Sequence, residues 1–179
     1  MKDQMKVLGD ERRELLLQLL KESEKPLTGS ELAARTNVSR QVIVSDITLL
    51  KVRKEPIIAT SQGYIYLRPV SQTPVFERTV ACFHPPERTE DELNLLVDLG
   101  VTVKDVKIEH PVYGDLTASI MVSNRTEVQR FMRKIHETKA AFLSELTAGI
   151  HLHTISARSE QTLIEAESAL KQANFLVSS

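Results

Sequence analysis

Residues 27–67 allow few folds, because their apolar pattern changes period within a short span and a cap or a turn marks each change. Thr28 followed by Glu31 is a capping box that opens a short helix through about Arg35, with Leu32 and Ala33 on its apolar face. Thr36-Asn37-Val38 interrupts it, and Ser39 can cap the next helix. There Ile43, Ile47 and Leu50 recur at the spacing that buries one stripe, widened by Val42 and Leu49. Pro56-Ile57-Ile58-Ala59, Thr60-Ser61-Gln62-Gly63 and Tyr64-Ile65-Tyr66-Leu67 then read as strand, turn and strand. Upstream, Leu15, Leu16, Leu19 and Leu20 predict a helix over 11–22, which Pro26 ends. Three short helices followed by a β-hairpin is the layout of a winged helix-turn-helix, here spanning residues 1–70.

A third helix of this kind fits the DNA major groove. Its outward residues are Arg40, Gln41, Ser45 and Thr48, and Ser39 with the free amides beside it can contact phosphate. Ser61 and Gln62 are placed to form the wing tip, and Lys51, Arg53 and Lys54 add positive charge. The plainer alternative is a small helical domain with solvated polar residues. Charge distribution bears on the choice. The whole chain is net −1, yet residues 1–68 carry 12 Lys or Arg against 9 Asp or Glu, and residues 69–179 carry 11 against 15. A basic first part and an acidic second part suggest different partners for each.

The boundary falls at Arg68-Pro69-Val70-Ser71-Gln72-Thr73-Pro74, where two prolines and several polar residues interrupt the apolar alternation. A single Cys excludes an internal disulfide framework. The polar, charged start MKDQMKVLGDERRE lacks the order of a signal peptide, and no apolar run approaches the roughly 20 residues that cross a bilayer. The expected location is the cytoplasm, with no membrane partner.

Residues 75–179 form the second domain. Val80-Ala81-Cys82-Phe83-His84 is strand-like and stops at Pro85-Pro86; Thr89 is placed to cap a helix that runs to Leu99 and ends at Gly100. Residues 101–109 and 112–122 alternate as two strands joined around His110-Pro111. Thr126 is placed to cap a helix with Val128, Phe131, Met132 and Ile135 inward. A strand segment around His151-Leu152-His153 precedes a terminal helix from about Ser159 through Phe175. The order β-α-β-β-α-β-α predicts an open α/β sandwich, and the whole chain is α+β.

His151 and His153 are two apart, so on a strand both imidazoles point to one face as a ligand pair. His84 at another strand end and Glu92 in the following helix can complete a mixed nitrogen–oxygen site, suited to zinc, nickel or iron. Two polar side chains facing solvent, or a histidine packed in a core, are the alternatives. Cys82 shares a strand face with His84 and reads as small apolar packing. His110 has either an effector contact or a backbone bond as its duty. Arg158, just before the last helix, can pair with an effector carboxylate or serve as a surface arginine.

The N-terminal words Leu27-Thr28-Gly29-Ser30-Glu31-Leu32-Ala33, Val38-Ser39-Arg40-Gln41-Val42-Ile43 and Ile58-Ala59-Thr60-Ser61-Gln62-Gly63-Tyr64 resemble the niacin-responsive repressors called NiaR or YrxA. So does the second half, through His84-Pro85-Pro86 with Glu92, Glu109-His110-Pro111-Val112-Tyr113-Gly114 and Thr147-Ala148-Gly149-Ile150-His151-Leu152-His153-Thr154. The likeness covers nearly the whole chain. It implies a three-histidine domain with a fold like the phosphocarrier HPr, and one divalent transition metal, nickel or zinc, held by His84, Glu92, His151 and His153. It further implies a homodimer on a palindromic operator that represses NAD biosynthesis or niacin uptake genes, with nicotinic acid as co-repressor. The competing classes are a metal-dependent small-molecule enzyme fused to a DNA-binding domain and a phosphocarrier-like protein. Against an enzyme, the sequence shows no poised nucleophile, phosphate loop or second catalytic base.

Overall fold

The computed structural model describes residues 9–67 and 75–177; the Arg68–Pro74 boundary segment lies outside the described residues. The chain divides into two compact units, Met1–Val70 and Ser71–Ser179.

The first unit runs α1 (Gly9–Glu22), α2 (Gly29–Thr36), α3 (Arg40–Val52), β1 (Ile57–Thr60) and β2 (Gly63–Tyr66). Thr28 Oγ1 accepts from the Glu31 amide at 3.1 Å and Glu31 Oε2 from the Thr28 amide at 2.7 Å, so the capping box closes in both directions. Asn37, at φ 51°, ends α2, and Ser39 Oγ accepts from the Val42 amide to start α3. The stripe Ile43, Ile47 and Leu50 is buried against Leu16, Leu20 and Leu32. Each such side chain contributes about 1.5–3 kcal/mol by burial. A buried ion pair sits inside this seam. Asp46 of α3 is 2% exposed, accepting from Arg12 Nε at 2.6 Å and from Arg13 Nη1 at 3.1 Å, both on α1.

The β1–β2 hairpin is also tied to the segment between α1 and α2. Leu27 and Tyr64 exchange both backbone hydrogen bonds, at 2.9 and 2.8 Å. The approach is so close that a Cβ on Gly63 (φ +136°) would stand 2.6 Å from the Leu27 carbonyl oxygen.

The second unit runs β3 (Phe76–Phe83), α4 (Thr89–Asp98), β4 (Thr102–His110), β5 (Gly114–Val122), α5 (Arg125–Thr138), β6 (Ile150–Ala157) and α6 (Glu160–Gln172). Its sheet is antiparallel throughout, in the order β3-β6-β4-β5. One apolar core joins the sheet to the helices, with Val80, Val103 and Ile155 meeting Leu93, Leu96, Val128, Leu163 and Leu170. Phe83, Ile150 and Leu152, at alternate strand positions to the buried ones, stay exposed.

Two caps differ from the sequence expectation. Asn124 caps α5, accepting from the Glu127 amide, and Thr126 lies inside the helix. Thr89 does not cap α4. Pro85-Pro86 starts a 3-10 turn over Pro86–Arg88 that flows into the helix, so Thr89 has helical φ −59° and ψ −42° instead of the extended backbone a cap needs. No helix among the described residues is long and apolar enough to cross a membrane.

Candidate functional site

Strand pairing sets the histidines. Cys82 lies opposite His151 and Val80 opposite His153 in the β3–β6 register. Period-2 alternation then turns His151 and His153 toward the helices, where both are 3% exposed. His84 follows the end of β3, and Glu92 comes down from the first turn of α4, fully buried. All three imidazoles converge on a single carboxylate oxygen. Glu92 Oε2 lies 2.7 Å from His84 Nε2, 3.2 Å from His153 Nε2 and 3.4 Å from His151 Nε2.

The opposite edge of each ring settles what these atoms are. His84 Nδ1 meets the Pro85 carbonyl at 2.8 Å, His151 Nδ1 the Gly149 carbonyl at 2.9 Å and His153 Nδ1 the Asp105 carbonyl at 2.6 Å. A carbonyl only accepts, so each Nδ1 carries the proton and each neutral ring presents a bare lone pair at Nε2. Three lone pairs facing a carboxylate oxygen in a buried site repel one another unless a cation stands among them. Protons are one answer. Burial opposes charge on His84 and His153, but the Glu92 hydrogen bonds and charge outweigh it and raise both. Burial likewise favours a neutral Glu92, and the surrounding imidazoles overcome it, holding its carboxyl well below the usual range. A divalent metal is the other answer, and the donor set fits one. Three Nε2 atoms have their tautomer fixed by backbone carbonyls, as second-shell partners fix metal-bound histidines, and the buried Glu92 Oε1 makes no hydrogen bond. Nitrogen and carboxylate donors of this kind suit nickel, zinc or iron.

Backbone geometry supports the convergence. Gly149, at φ +98°, carries the carbonyl that holds His151, and a Cβ there would stand 2.5 Å from the His84 carbonyl oxygen. A register shift in β4 near Asp105 brings that residue to β6, where its carboxylate accepts from the Thr154 amide and its carbonyl from His153. Cys82 stands closer to this cluster than simple packing requires. Its sulfur, a Glu92 carboxylate oxygen and a His151 ring nitrogen all lie within 4.8 Å of one another. Burial, then the Glu92 charge, push its thiol far up, so it stays protonated beside the carboxylate.

A cavity of about 240 Å³ opens onto the histidines, walled by Val106, Ile120, Phe131, Ile135 and Phe142 and reached by Thr89 and Ser144. Neither His110 nor Arg158 lines it. His110 Nδ1 instead accepts from the Val112 and Tyr113 amides at 3.1 and 3.2 Å, which closes the β4–β5 turn, and Arg158 is exposed. In the first unit Ser39, Arg40, Gln41, Ser45 and Thr48 are exposed on α3, although the Ser45 and Thr48 hydroxyls bond back to the Gln41 and Val44 carbonyls. Gln62 does not project from the wing. It is 9% exposed, and its side-chain amide donates to Ser61 Oγ at 3.0 Å, because the tight turn folds it back.

The sequence reading missed the cavity walls Phe131 and Phe142 and the nearness of Cys82. Shared strand parity with His84 was the available signal for Cys82.

Comparison with known proteins agrees with both halves. Residues 12–65 match an HTH domain and residues 77–179 a 3H domain. The chain is 58% identical over 178 residues to the transcription repressor NadR of Bacillus subtilis, covering 99% of each. It is 38% identical over 173 residues to the probable transcription repressor NiaR of Thermotoga maritima, covering 97% of each. With a capped recognition helix in one unit and three converging histidines in the other, this chain belongs to the NadR/NiaR family of transcription repressors.

Proposed function

We propose that this chain, a DNA-binding repressor and not an enzyme, represses genes of NAD biosynthesis or niacin uptake in response to nicotinic acid. The second unit, residues 75–179, senses the effector through a divalent metal, nickel or zinc, held by His84, Glu92, His151 and His153. One observation carries the reading: three protonation-locked imidazoles and one carboxylate form the floor of an apolar cavity sized for a small ring.

When bound, the metal would supply positive charge and an open position for an anionic ligand. The rest is the work of the chain. Phe131 and Phe142, packed edge-to-face at 6.4 Å, give the cavity an apolar wall, while Pro85, Gly149 and Asp105 hold the imidazoles in one tautomer. Arg40 and Gln41 read DNA from α3, and Ser39 contacts phosphate at its N-terminus. One recognition helix per chain contacts too little DNA for strong selectivity, which favours a homodimer on a palindromic site. For nicotinic acid to act as co-repressor it must bind the DNA-competent state more tightly than the alternative.

The test is retention of a palindromic operator by metal-loaded protein as nicotinic acid is titrated, with nicotinamide and chelated protein alongside. Tighter operator binding with nicotinic acid, lost on chelation, is the expected result. Equal affinity with and without saturating nicotinic acid overturns co-repression.

A further inference from the structure

The outward stripe of α3 runs Gln41, Ser45, Thr48 and Val52, opposite the buried Ile43, Ile47 and Leu50. Its hydroxyls are less available to a partner than their exposure suggests. Thr48 Oγ1 donates to the Val44 carbonyl at 2.8 Å and Ser45 Oγ to the Gln41 carbonyl at 3.3 Å, so both hydroxyl protons are taken by the helix backbone. Asp46, the single acidic residue of α3, is drawn inward by Arg12 and Arg13. The outward stripe therefore carries no carboxylate, and its side-chain amide, on Gln41, lies in the first turn beside Arg40.

The later turns present carbon. Val52 is 74% exposed and Leu49 is 46% exposed, and Thr48 adjoins both on the helix surface. Around them Arg40, Lys51 and Lys54 are exposed, a basic setting that suits a polyanion. Base edges in the DNA major groove offer donors and acceptors, and one of them offers carbon, the C5 methyl of thymine. Cytosine, whose amino group is read by a carboxylate, finds none on this stripe. Thr48 lies roughly 10 Å beyond Gln41 along the helix axis, nearer than Val52 to the N-terminal turn that enters the groove.

We propose that Thr48 reads a thymine in each operator half-site through its side-chain methyl group, packed on the thymine C5 methyl, while its hydroxyl stays bonded to Val44. Thr48 is a specificity residue that contacts the base through carbon. The inference rests on DNA binding through α3 and on neither the metal nor the effector.

Selection from a random duplex pool by the full chain, run with and without nicotinic acid, supplies the DNA probe. Each thymine of the enriched duplex is then replaced singly by deoxyuridine, which removes the C5 methyl and keeps every hydrogen-bonding group. Affinities for wild type, Thr48→Ser and Thr48→Val are read by fluorescence anisotropy, with circular dichroism on the same samples. Wild type should bind about fourfold more weakly when one particular thymine of a half-site is replaced, the worth of one buried methyl group. Thr48→Ser, which keeps the hydroxyl and loses the methyl, should bind the thymine and deoxyuridine duplexes equally. Thr48→Val, which keeps a methyl and loses the hydroxyl, should retain the wild-type preference. A wild type indifferent to every replacement overturns the proposal. So does an undiminished preference in Thr48→Ser, or a preference lost in Thr48→Val, which would assign the contact to the hydroxyl. A pool that yields no enriched duplex under either condition overturns the DNA-binding reading along with it.

Discussion

The Asp105 carbonyl oxygen accepts from His153 Nδ1 at 2.6 Å across two strands, fixing the tautomer that leaves His153 Nε2 bare. Gly149 does the same for His151 from a position no other residue fills. Gly149→Ala should therefore strike the cluster through the backbone. The added Cβ meets the His84 carbonyl oxygen at 2.5 Å, and φ +98° is strained for alanine. A loss of about 1–3 kcal/mol in the second unit is expected, with metal stoichiometry falling well below one. Denaturant unfolding and metal analysis check it.

His151→Ala with His153→Ala should abolish metal binding. Full stoichiometric metal in that double variant would remove both from the ligand set.

Metal should reverse the sign of the pH dependence. Without metal, His84 and His153 are raised above 6.5 by Glu92, so their contribution is full below about 6.5 and is lost as pH rises through the raised values. Glu92, held well below 4.5, contributes above about 4.5 and loses this only as pH falls through its depressed value. The metal-free unit should thus weaken as pH climbs above 6.5. The metal-loaded unit should strengthen over the same range, because protons no longer compete for the imidazoles. Calorimetric Tm against pH, with and without chelator, reads both slopes.

Asp46→Ala should selectively unfold the first unit. It removes the buried carboxylate that Arg12 and Arg13 share, a change that costs about 3–5 kcal/mol when a buried ion pair is broken. Two separate thermal transitions, with only one displaced, are the expected trace.

On α3, Arg40→Ala and Gln41→Ala should each weaken operator binding by about 1–3 kcal/mol with little change in fold, since both are exposed. Ser39→Ala should also lower stability by about 1 kcal/mol, because its hydroxyl caps the helix. Affinity and circular dichroism on the same samples separate the two effects.

Much of this was legible where chemistry is local. The Thr28–Glu31 box, the Ser39 cap, the Ile43–Ile47–Leu50 stripe and the His151–His153 pair depend on neighbours a few residues apart, and periodicity exposes them. What stayed hidden depends on residues distant in sequence. Asp105 reaches His153 only through a register shift in β4, and Phe142 walls the cavity from a loop without periodicity. Thr89 looked like a cap because Ser and Thr usually are; two prolines upstream changed its backbone conformation. His110 shows the same limit, its ring nitrogen being taken by the turn that follows it.

The paired hydrogen bonds between Leu27 and Tyr64 make the hairpin the outer part of a small three-stranded arrangement that starts just before α2. The wing is therefore not a flap that must settle when DNA arrives. Its position relative to α2 and α3 is set at folding, so little backbone entropy is left to lose on docking. A DNA-binding unit built this way arrives with wing and α3 already in place, so contact energy goes into reading DNA instead of into ordering the wing.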